Sequence, residues 1–463
     1  MKEQNSATMG SSISRRRFLA MSASVTGYAL LLSACAPATP TPAPAEGEAT
    51  VPATLPVEPA SIRAVMYAPE PLMKFNEKII AEFMADHPGT TVTIEPSPSE
   101  FYEKIFAMVA AGTAPDVFDG GGWWMPLLAE RGQLLDLQPY VERDFSAETV
   151  ADFSPILWNH LWTQDGKVHY GIPQFQATLA LYYNKTMFDA VGLDYPDESW
   201  DHDTYLEAMS RFVKEDDSGK MIRWGGYGQV RDWGRMEVHL RSFGGSFIDP
   251  EDSAHCTLDT PEAQEAIEWC RARIWDDNVW PQTDQMEDYW SPPWTTGQVA
   301  TIEDGSWFLR YWAEGIESFD WDVAPFPKGP KGRAVLGSDD AWMIYQGTKF
   351  PDTAWELVKF FVSPEYLRGY MAAEAKQPPR LSMLPEWYTI LRQNWPSLEQ
   401  VNLEVFGAPV EAGELILFPV FKDHAKATEI LDPVVDDVIV NGTAGADALA
   451  EAAKRLNEAL RAG

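Results

Sequence analysis

Cysteine is scarce in this chain, which has three cysteines among its 463 residues. The fold therefore cannot depend on a disulfide framework, and neither Cys256 nor Cys270 has the neighbouring cysteine or histidine that a zinc site needs. Cys270 lies at helical spacing with Ile267 and Ile274, whereas Cys256 precedes that helix. Two separate buried thiols are the favoured interpretation, with a disulfide as the alternative. The sequence predicts no metal site and no cofactor.

Recognisable catalytic motifs are also missing. There is no Gly-x-Ser-x-Gly turn, no His-Glu-x-x-His pair and no phosphate-binding glycine loop with lysine. A carbohydrate hydrolase would need two carboxylates about 5 to 10 Å apart. No pattern marks such a pair among the 69 acidic residues. We expect a protein that is not an enzyme, and a carbohydrate-degrading protein is the less favoured alternative.

Basic residues are few: 36 Lys and Arg stand against 69 Asp and Glu, and the formal net charge is −33. A surface this negative repels phosphate backbones, which argues against a nucleic-acid partner, and it disfavours anionic small ligands. Beyond the N-terminus, no run of residues is apolar and long enough to span a bilayer.

The N-terminus carries two export signals. Residues 14–19, Ser-Arg-Arg-Arg-Phe-Leu, resemble a twin-arginine signal, and residues 32–35, Leu-Ser-Ala-Cys, resemble a lipobox. A transmembrane helix is the alternative, but the segment between them has about fifteen weakly apolar residues, fewer than the roughly 20 that a bilayer requires. We expect residues 1–34 to be a signal peptide that is removed. Lipid on Cys35 would then anchor the protein on the outer side of the cytoplasmic membrane.

A linker and a large folded region follow the anchor. Residues 35–60 are rich in Pro, Ala and Thr, which favours an extended spacer. The roughly 400 residues after it exceed what one core usually supports, so the sequence predicts two lobes. Nineteen tryptophans pack cores but also supply flat faces that stack on sugar rings, which points to carbohydrate as a ligand.

Strands and helices alternate in the first part of this region. Ile62–Tyr67 and Thr91–Ile94 are predicted strands separated by a helix, and a second helix leads to a third strand at Pro115–Phe118. This order is typical of a parallel sheet, which binds ligands beyond the carboxyl ends of its strands. The loop at that place contains Asp119, which can accept from sugar hydroxyls, three glycines, and the stacking faces of Trp123 and Trp124. A glycine-rich turn whose tryptophans cap the core is the alternative.

A series of short motifs runs through nearly the whole mature chain. The most specific are residues 181–188, Leu-Tyr-Tyr-Asn-Lys-Thr-Met-Phe, and the Gly-Ser-Trp of residues 305–307. The other matching segments are 83–89, 110–117, 127–137, 166–173, 297–302 and 353–361. In this order they resemble the family 1 extracellular solute-binding proteins of ATP-binding-cassette importers, the group that includes the maltose-binding protein.

The resemblance implies an α/β fold of two discontinuous lobes that close on a ligand in the cleft between them. It also implies a monomer that captures a small solute, a sugar or oligosaccharide above all, and delivers it to the permease of the importer. By analogy, the predicted lobes are residues 61–174 with 341–372 and residues 180–335 with 380–463, and the crossings lie near 173–179, 336–341 and 372–380.

Further ligand contacts follow from the resemblance and from side-chain chemistry. Trp307 carries over from the Gly-Ser-Trp motif, with Asp304 close by. Gln174 and Gln176 lie on the first crossing, where an amide can both donate to and accept from hydroxyls.

Two more groups have structural alternatives. Arg231 and Trp233 lie in a predicted loop where the family places contacts, although the loop could equally be solvated. Arg380 could clamp a ligand oxygen or form a structural salt bridge. Asp339 and Asp340 precede Trp342 where the family commonly has small residues. The two acids could bind a sugar, cap a helix or bind a cation. A polyamine or other cation is therefore the alternative ligand. Trp342, which follows the acids, is also a predicted ligand contact.

Overall fold

The structure is a computed structural model that describes residues 59–97, 101–121, 124–161, 168–285 and 293–462. The predicted signal peptide, Cys35, nearly all of the linker and Trp123 lie outside the described residues, and so does the side chain of Asp339. Within the described ranges, no helix has both the length and the apolar character needed to cross a membrane.

Over these ranges the chain forms twelve strands and seventeen α-helices. The strands are β1 Ala60–Met66, β2 Thr90–Pro96, β3 Val117–Gly121, β4 Ile172–Asn184, β5 Lys214–Glu215, β6 Met221–Arg223, β7 Ile248–Asp249, β8 Asp252–Cys256, β9 Thr301–Gly305, β10 Trp321–Ala324, β11 Val335–Ile344 and β12 Leu415–Ile416. The helices are α1 Glu70–Asp86, α2 Phe101–Ala110, α3 Met125–Ala129, α4 Gln138–Asp144, α5 Ala147–Ala151, α6 Pro155–His160, α7 Lys185–Val191, α8 His202–Ser210, α9 Trp233–Phe243, α10 Pro261–Trp275, α11 Leu309–Gly315, α12 Pro351–Phe361, α13 Pro364–Glu374, α14 Leu384–Asn394, α15 Ala408–Ala412, α16 His424–Val435 and α17 Ala446–Ala462.

The predicted parallel sheet is confirmed at the start of the described chain. Strand β1 pairs in parallel with β2 on one side and with β3 on the other. Helix α1 connects the first two strands and buries Leu72, Ile79 and Phe83. Apolar periodicity therefore fixes this part of the fold locally.

Two long strands, β4 and β11, hold the rest of the sheet together. They pair antiparallel with each other, β11 also pairs with β3, and the second half of β4 pairs with β9 and β10. The main sheet is therefore mixed, with eight strands, and only its first three are the parallel unit. The predicted crossings 173–179 and 336–341 fall inside β4 and β11.

Two large apolar cores lie on this framework. One packs the first strands against α1, α12 and α13, and the other packs α8, α9 and α10 against α16 and α17. Helix α14, which the predicted boundary assigns to the second lobe, packs on α13, and its Trp387 indole donates to the backbone oxygen of Ala375 at 3.0 Å. Cys256 and Cys270 are both buried free thiols, as the helical spacing favoured.

Candidate functional site

A cavity of about 200 Å³ opens at the carboxyl end of β3. Its lining residues are Tyr67, Tyr102, Asp119, Gly120, Gly121, Trp124 and Asp340. Tyr67 directly follows β1, and Asp119 lies near the end of β3. Because parallel strands end at the same edge of a sheet, these two residues meet there, as the sequence predicted for Asp119.

Asp119 is the buried acid of this cavity. Its carboxylate accepts from the Gln174 side-chain amide at 2.9 Å and from the backbone N–H of Tyr67 at 3.2 Å. Burial, with the charge of Asp340 second, raises the pKa of the Asp119 carboxyl well above its usual range. Such a carboxyl binds a hydroxyl well because it can accept when ionised and donate when protonated.

A β-bulge helps to place Gln174. Strand β11 pairs Ala341 with Pro173 and Asp340 with Phe175, so Gln174 is the extra residue of β4. A bulge changes the direction of a side chain at that point of a strand. The amide of Gln174 thereby reaches Asp119, and its oxygen has no hydrogen-bond partner among the described residues.

Trp124 covers one wall of the cavity. A Cβ at position 120 would lie 1.7 Å from the Trp124 ring, so only glycine at this position leaves room for the indole. The ring is buried and also stacks on Phe118, with 6.1 Å between centroids. Both interpretations of this tryptophan therefore apply in part, because the ring caps a core and also faces the cavity.

Lys376 was not selected from the sequence. Its side chain is 8% exposed. The ammonium lies 4.9 Å from the ring centre of Phe175 and 5.9 Å from that of Tyr67. No local pattern could have found it, since it follows a helix and reaches Asp119 only through the fold. Tyr67, by contrast, could have been selected as the residue that follows the first strand.

A second polar cluster surrounds Asp304 at the end of β9. Its carboxylate binds the Arg235 guanidinium at 2.7 Å and accepts from the Gln229 amide at 3.2 Å. Trp307 is half-buried, and the Arg235 guanidinium carbon lies 5.7 Å from its ring centre. As at position 120, a Cβ at Gly305 would collide with a tryptophan ring, because it would lie 2.3 Å from the ring of Trp307. Trp307 is the partly exposed aromatic member of this cluster.

Gln176 lies between the two clusters, on the shared strand β4. Its backbone N–H donates to Gln377 at 3.0 Å, which ties β4 to the extended segment after α13. The Gln176 side-chain nitrogen and the Thr178 hydroxyl are buried without hydrogen-bond partners in the described part of the chain. Buried polar atoms of this kind are where a ligand hydroxyl gains most.

Four other predicted contacts have structural surroundings instead. Arg231 pairs with Asp436 at 2.6 Å. Arg380 donates to the backbone oxygen of Val362 at 2.8 Å and pairs with Asp152, the salt-bridge alternative.

The two tryptophans of this group lie in the cores. Trp233 is the first residue of α9, not part of a loop, and its ring stacks on Phe247 with 5.1 Å between centroids. Trp342 is fully buried against Phe361 at 4.3 Å. Asp340 itself lies within a strand and caps no helix.

The cavity therefore brings together Asp119, Trp124, Gln174 and Asp340, with Lys376 beside them. In the ranges that the structure describes, no three histidine, cysteine or acidic side chains are grouped closely enough to hold a metal ion. The arrangement offers hydroxyl-binding groups and an aromatic face around a space for a small polar molecule.

Comparisons with known proteins point to one family. The family model described as bacterial extracellular solute-binding protein matches residues 70–367. A binding protein of Brucella abortus is 25% identical over 316 residues, which cover 66% of this chain and 72% of that protein. The maltodextrin-binding protein of Bacillus subtilis is 26% identical over 302 residues, or 63% of this chain and 67% of that protein.

A solved structure is similar over a longer span. The ABC substrate-binding protein from Listeria monocytogenes, in complex with cycloalternan, has a TM-score of 0.75 and 20% identity, and the match covers 87% of this chain and 100% of that chain. This likeness confirms the expected fold, an α/β fold of two lobes with a ligand cleft between them.

Proposed function

Because this chain belongs to the family of bacterial extracellular solute-binding proteins, we propose that it captures a sugar or oligosaccharide and delivers it to an ABC permease. The observation that carries the proposal is the cavity at Asp119, where carboxylates, an amide and an indole surround one space. Sugars present hydroxyl groups to such groups and an apolar ring face to tryptophan. The names of the similar proteins, which include maltodextrin-binding and cycloalternan-bound ones, support the same class.

Capture needs no chemistry on the ligand. In the open state, water occupies the space near Asp119 and Gln174, and the ligand's hydroxyls replace it. The lobes then close about the crossing strands, and only the ligand's higher affinity for the closed state favours closure. We expect Trp307, on the far side of β4, to face the ligand when the lobes approach.

Lipid anchoring is part of the proposal, with Cys35 as the modified residue. The twin-arginine-like and lipobox-like motifs support it, and an extracellular family fits export. Labelling cells with a fatty acid that carries a detectable tag should mark the wild-type protein. A Cys35→Ala variant should be unlabelled and should appear in the soluble fraction of the envelope or the medium.

The binding test is a thermal-shift screen of the purified protein. Its probes are maltotriose, mannotriose, arabinotriose, spermidine and putrescine, because a ligand that binds only the native state raises the unfolding midpoint. We expect one neutral sugar class to raise the midpoint of the wild type and of Asp217→Asn, which changes an exposed acid, and to shift Asp119→Asn less.

The main alternative is a polyamine, which the acids at the cavity and the net charge of −33 favour. A shift with spermidine or putrescine, but with no sugar, would support it.

Gel filtration against protein standards tests the expected monomer. The protein should elute near the 51.8 kDa of the whole chain.

A further inference from the structure

Lys376 places a buried cation beside the acidic cavity. Its ring contacts with Tyr67 put it next to a residue that lines the cavity. Its charge also interacts with those of Asp119 and Asp340. One cation, Lys376, and two acids, Asp119 and Asp340, therefore lie around the same cavity.

This ammonium has no hydrogen-bond acceptor among the described side chains. None of their carboxylates lies within 4.0 Å of it, and neighbouring Glu374 pairs with Arg310 at 3.3 Å. An ammonium carries three donors, and burial that removes most of their water without supplying acceptors is unfavourable. Burial accordingly lowers the pKa of Lys376. A bound molecule that offers oxygen acceptors would remove this penalty.

The backbone that leads to Lys376 is strained. Ala375 ends α13 in the left-handed conformation with φ of 56°, a position where glycine is usual. It turns the chain from the helix into the extended segment in which Gln377 pairs with Gln176. Strain of this kind persists where the surrounding structure fixes a side chain, and functional sites are common among such places.

We infer that Lys376 makes the site selective for uncharged, polyhydroxylated ligands. This rests on the proposed function and deepens it by fixing the charge of the ligand. A hydroxyl group both donates and accepts, so one sugar can accept from Lys376 and donate to Asp119 and Asp340. A polyamine can only donate and meets the lysine charge. An acidic sugar meets the charges of Asp119, Asp340 and Glu374.

The test replaces Lys376 with methionine, which keeps the length of the side chain and removes its charge. Wild type and Lys376→Met are titrated calorimetrically with three probes: the most stabilising of the neutral trisaccharides named above, spermidine, and trigalacturonate. Lys454→Met is the matched control, since Lys454 is 60% exposed on α17. Lys376→Arg, which keeps the charge, is the second variant.

We expect wild type and Lys454→Met to bind the neutral trisaccharide alone. Lys376→Met should bind it at least about tenfold more weakly, the effect of losing one charged hydrogen bond, and should gain measurable affinity for spermidine. Lys376→Arg should still reject spermidine, which shows that the charge matters. Removal of a buried charge should leave the unliganded Lys376→Met with an unfolding midpoint at or above that of the wild type.

Three results would overturn the inference. If Lys376→Met binds the trisaccharide as tightly as the wild type and rejects spermidine, Lys376 has no such role, while the proposed function stands. If the wild type binds spermidine or trigalacturonate, the charge selectivity is absent. If the wild type binds no neutral sugar, the proposed function fails, and this inference fails with it.

Discussion

Asp119 and Asp304 are two buried acids, one on each side of the crossing strands, in contrasting surroundings. Asp304 holds an arginine at 2.7 Å and is 1% exposed. Among the residues that the structure describes, Asp119 accepts hydrogen bonds from an amide and a backbone N–H, and it adjoins an open cavity. Burial raises the pKa of both carboxyls, but Arg235 lowers that of Asp304, whereas Asp340 raises that of Asp119 further. A buried acid therefore indicates a ligand site where it forms no direct ion pair and lies beside an open space.

The largest expected effect is on stability at Asp304. Arg235→Met leaves this carboxylate buried without its cation, which should lower the free energy of unfolding by about 3 to 5 kcal/mol. Arg231→Met breaks an ion pair whose arginine is 53% exposed, and it should cost less than about 1 kcal/mol. Urea unfolding of both variants measures the difference, and equal losses would contradict the structural role assigned to Asp304.

Next in size is the effect of Asp119 on binding. Asp119→Asn should weaken binding of the neutral sugar about tenfold or more, because a charged acceptor is replaced by a neutral one. Its unfolding midpoint without ligand should stay near that of the wild type or rise. Titration calorimetry and thermal unfolding check the two parts. A variant that binds normally would remove Asp119 from the site.

The raised pKa of Asp119 predicts a pH dependence. A carboxyl with a raised pKa holds its proton longer in the folded state, so its contribution to stability is present at low pH and is lost as pH rises above the usual 3.8. The wild type should therefore lose stability relative to Asp119→Asn above pH 4, by at most about 1.4 kcal/mol per pH unit. Urea unfolding at several pH values tests this, and parallel curves would refute it.

The smallest effect concerns the strained residue before Lys376. Ala375→Gly relieves the left-handed conformation and should raise the free energy of unfolding by about 1 kcal/mol or less. Ala372→Gly, at an exposed position of the same helix, should lower it by about 1 kcal/mol. Changes of the same sign in the two variants would show that Ala375 carries no strain.

The sequence predicted well wherever a local rule decides the structure. Helical spacing placed Cys270 in the helix that is α10, the first two strands are separated by α1 as predicted, and the end of the third strand located Asp119. The same argument predicted a binding role for Asp119 without knowledge of its hydrogen-bond partner Gln174. These features depend on neighbours within a few positions along the chain.

Features that depend on distant residues were out of reach. Lys376 lies near Asp119 although more than two hundred residues separate them along the chain, and Arg235 pairs with Asp304 across 69 residues. Trp233 and Trp342 are tryptophans, which can stack on a sugar or pack in a core. The position of each residue within its helix or strand decides which of the two its ring does. Composition could suggest a sugar ligand without saying which tryptophans would be available to it.

The pairing of β4 with β11 has a mechanical consequence. Thr178, Ala177 and Gln176 are opposite Gly337, Ser338 and Asp339, so the first two predicted crossings form a hydrogen-bonded ribbon and not a pair of loose loops. A rotation of one lobe must then be absorbed as extra twist in that ribbon, spread over several peptide units. We expect twist of this kind to be elastic, so that the ribbon resists large angles and returns to its resting geometry once the proposed solute has left.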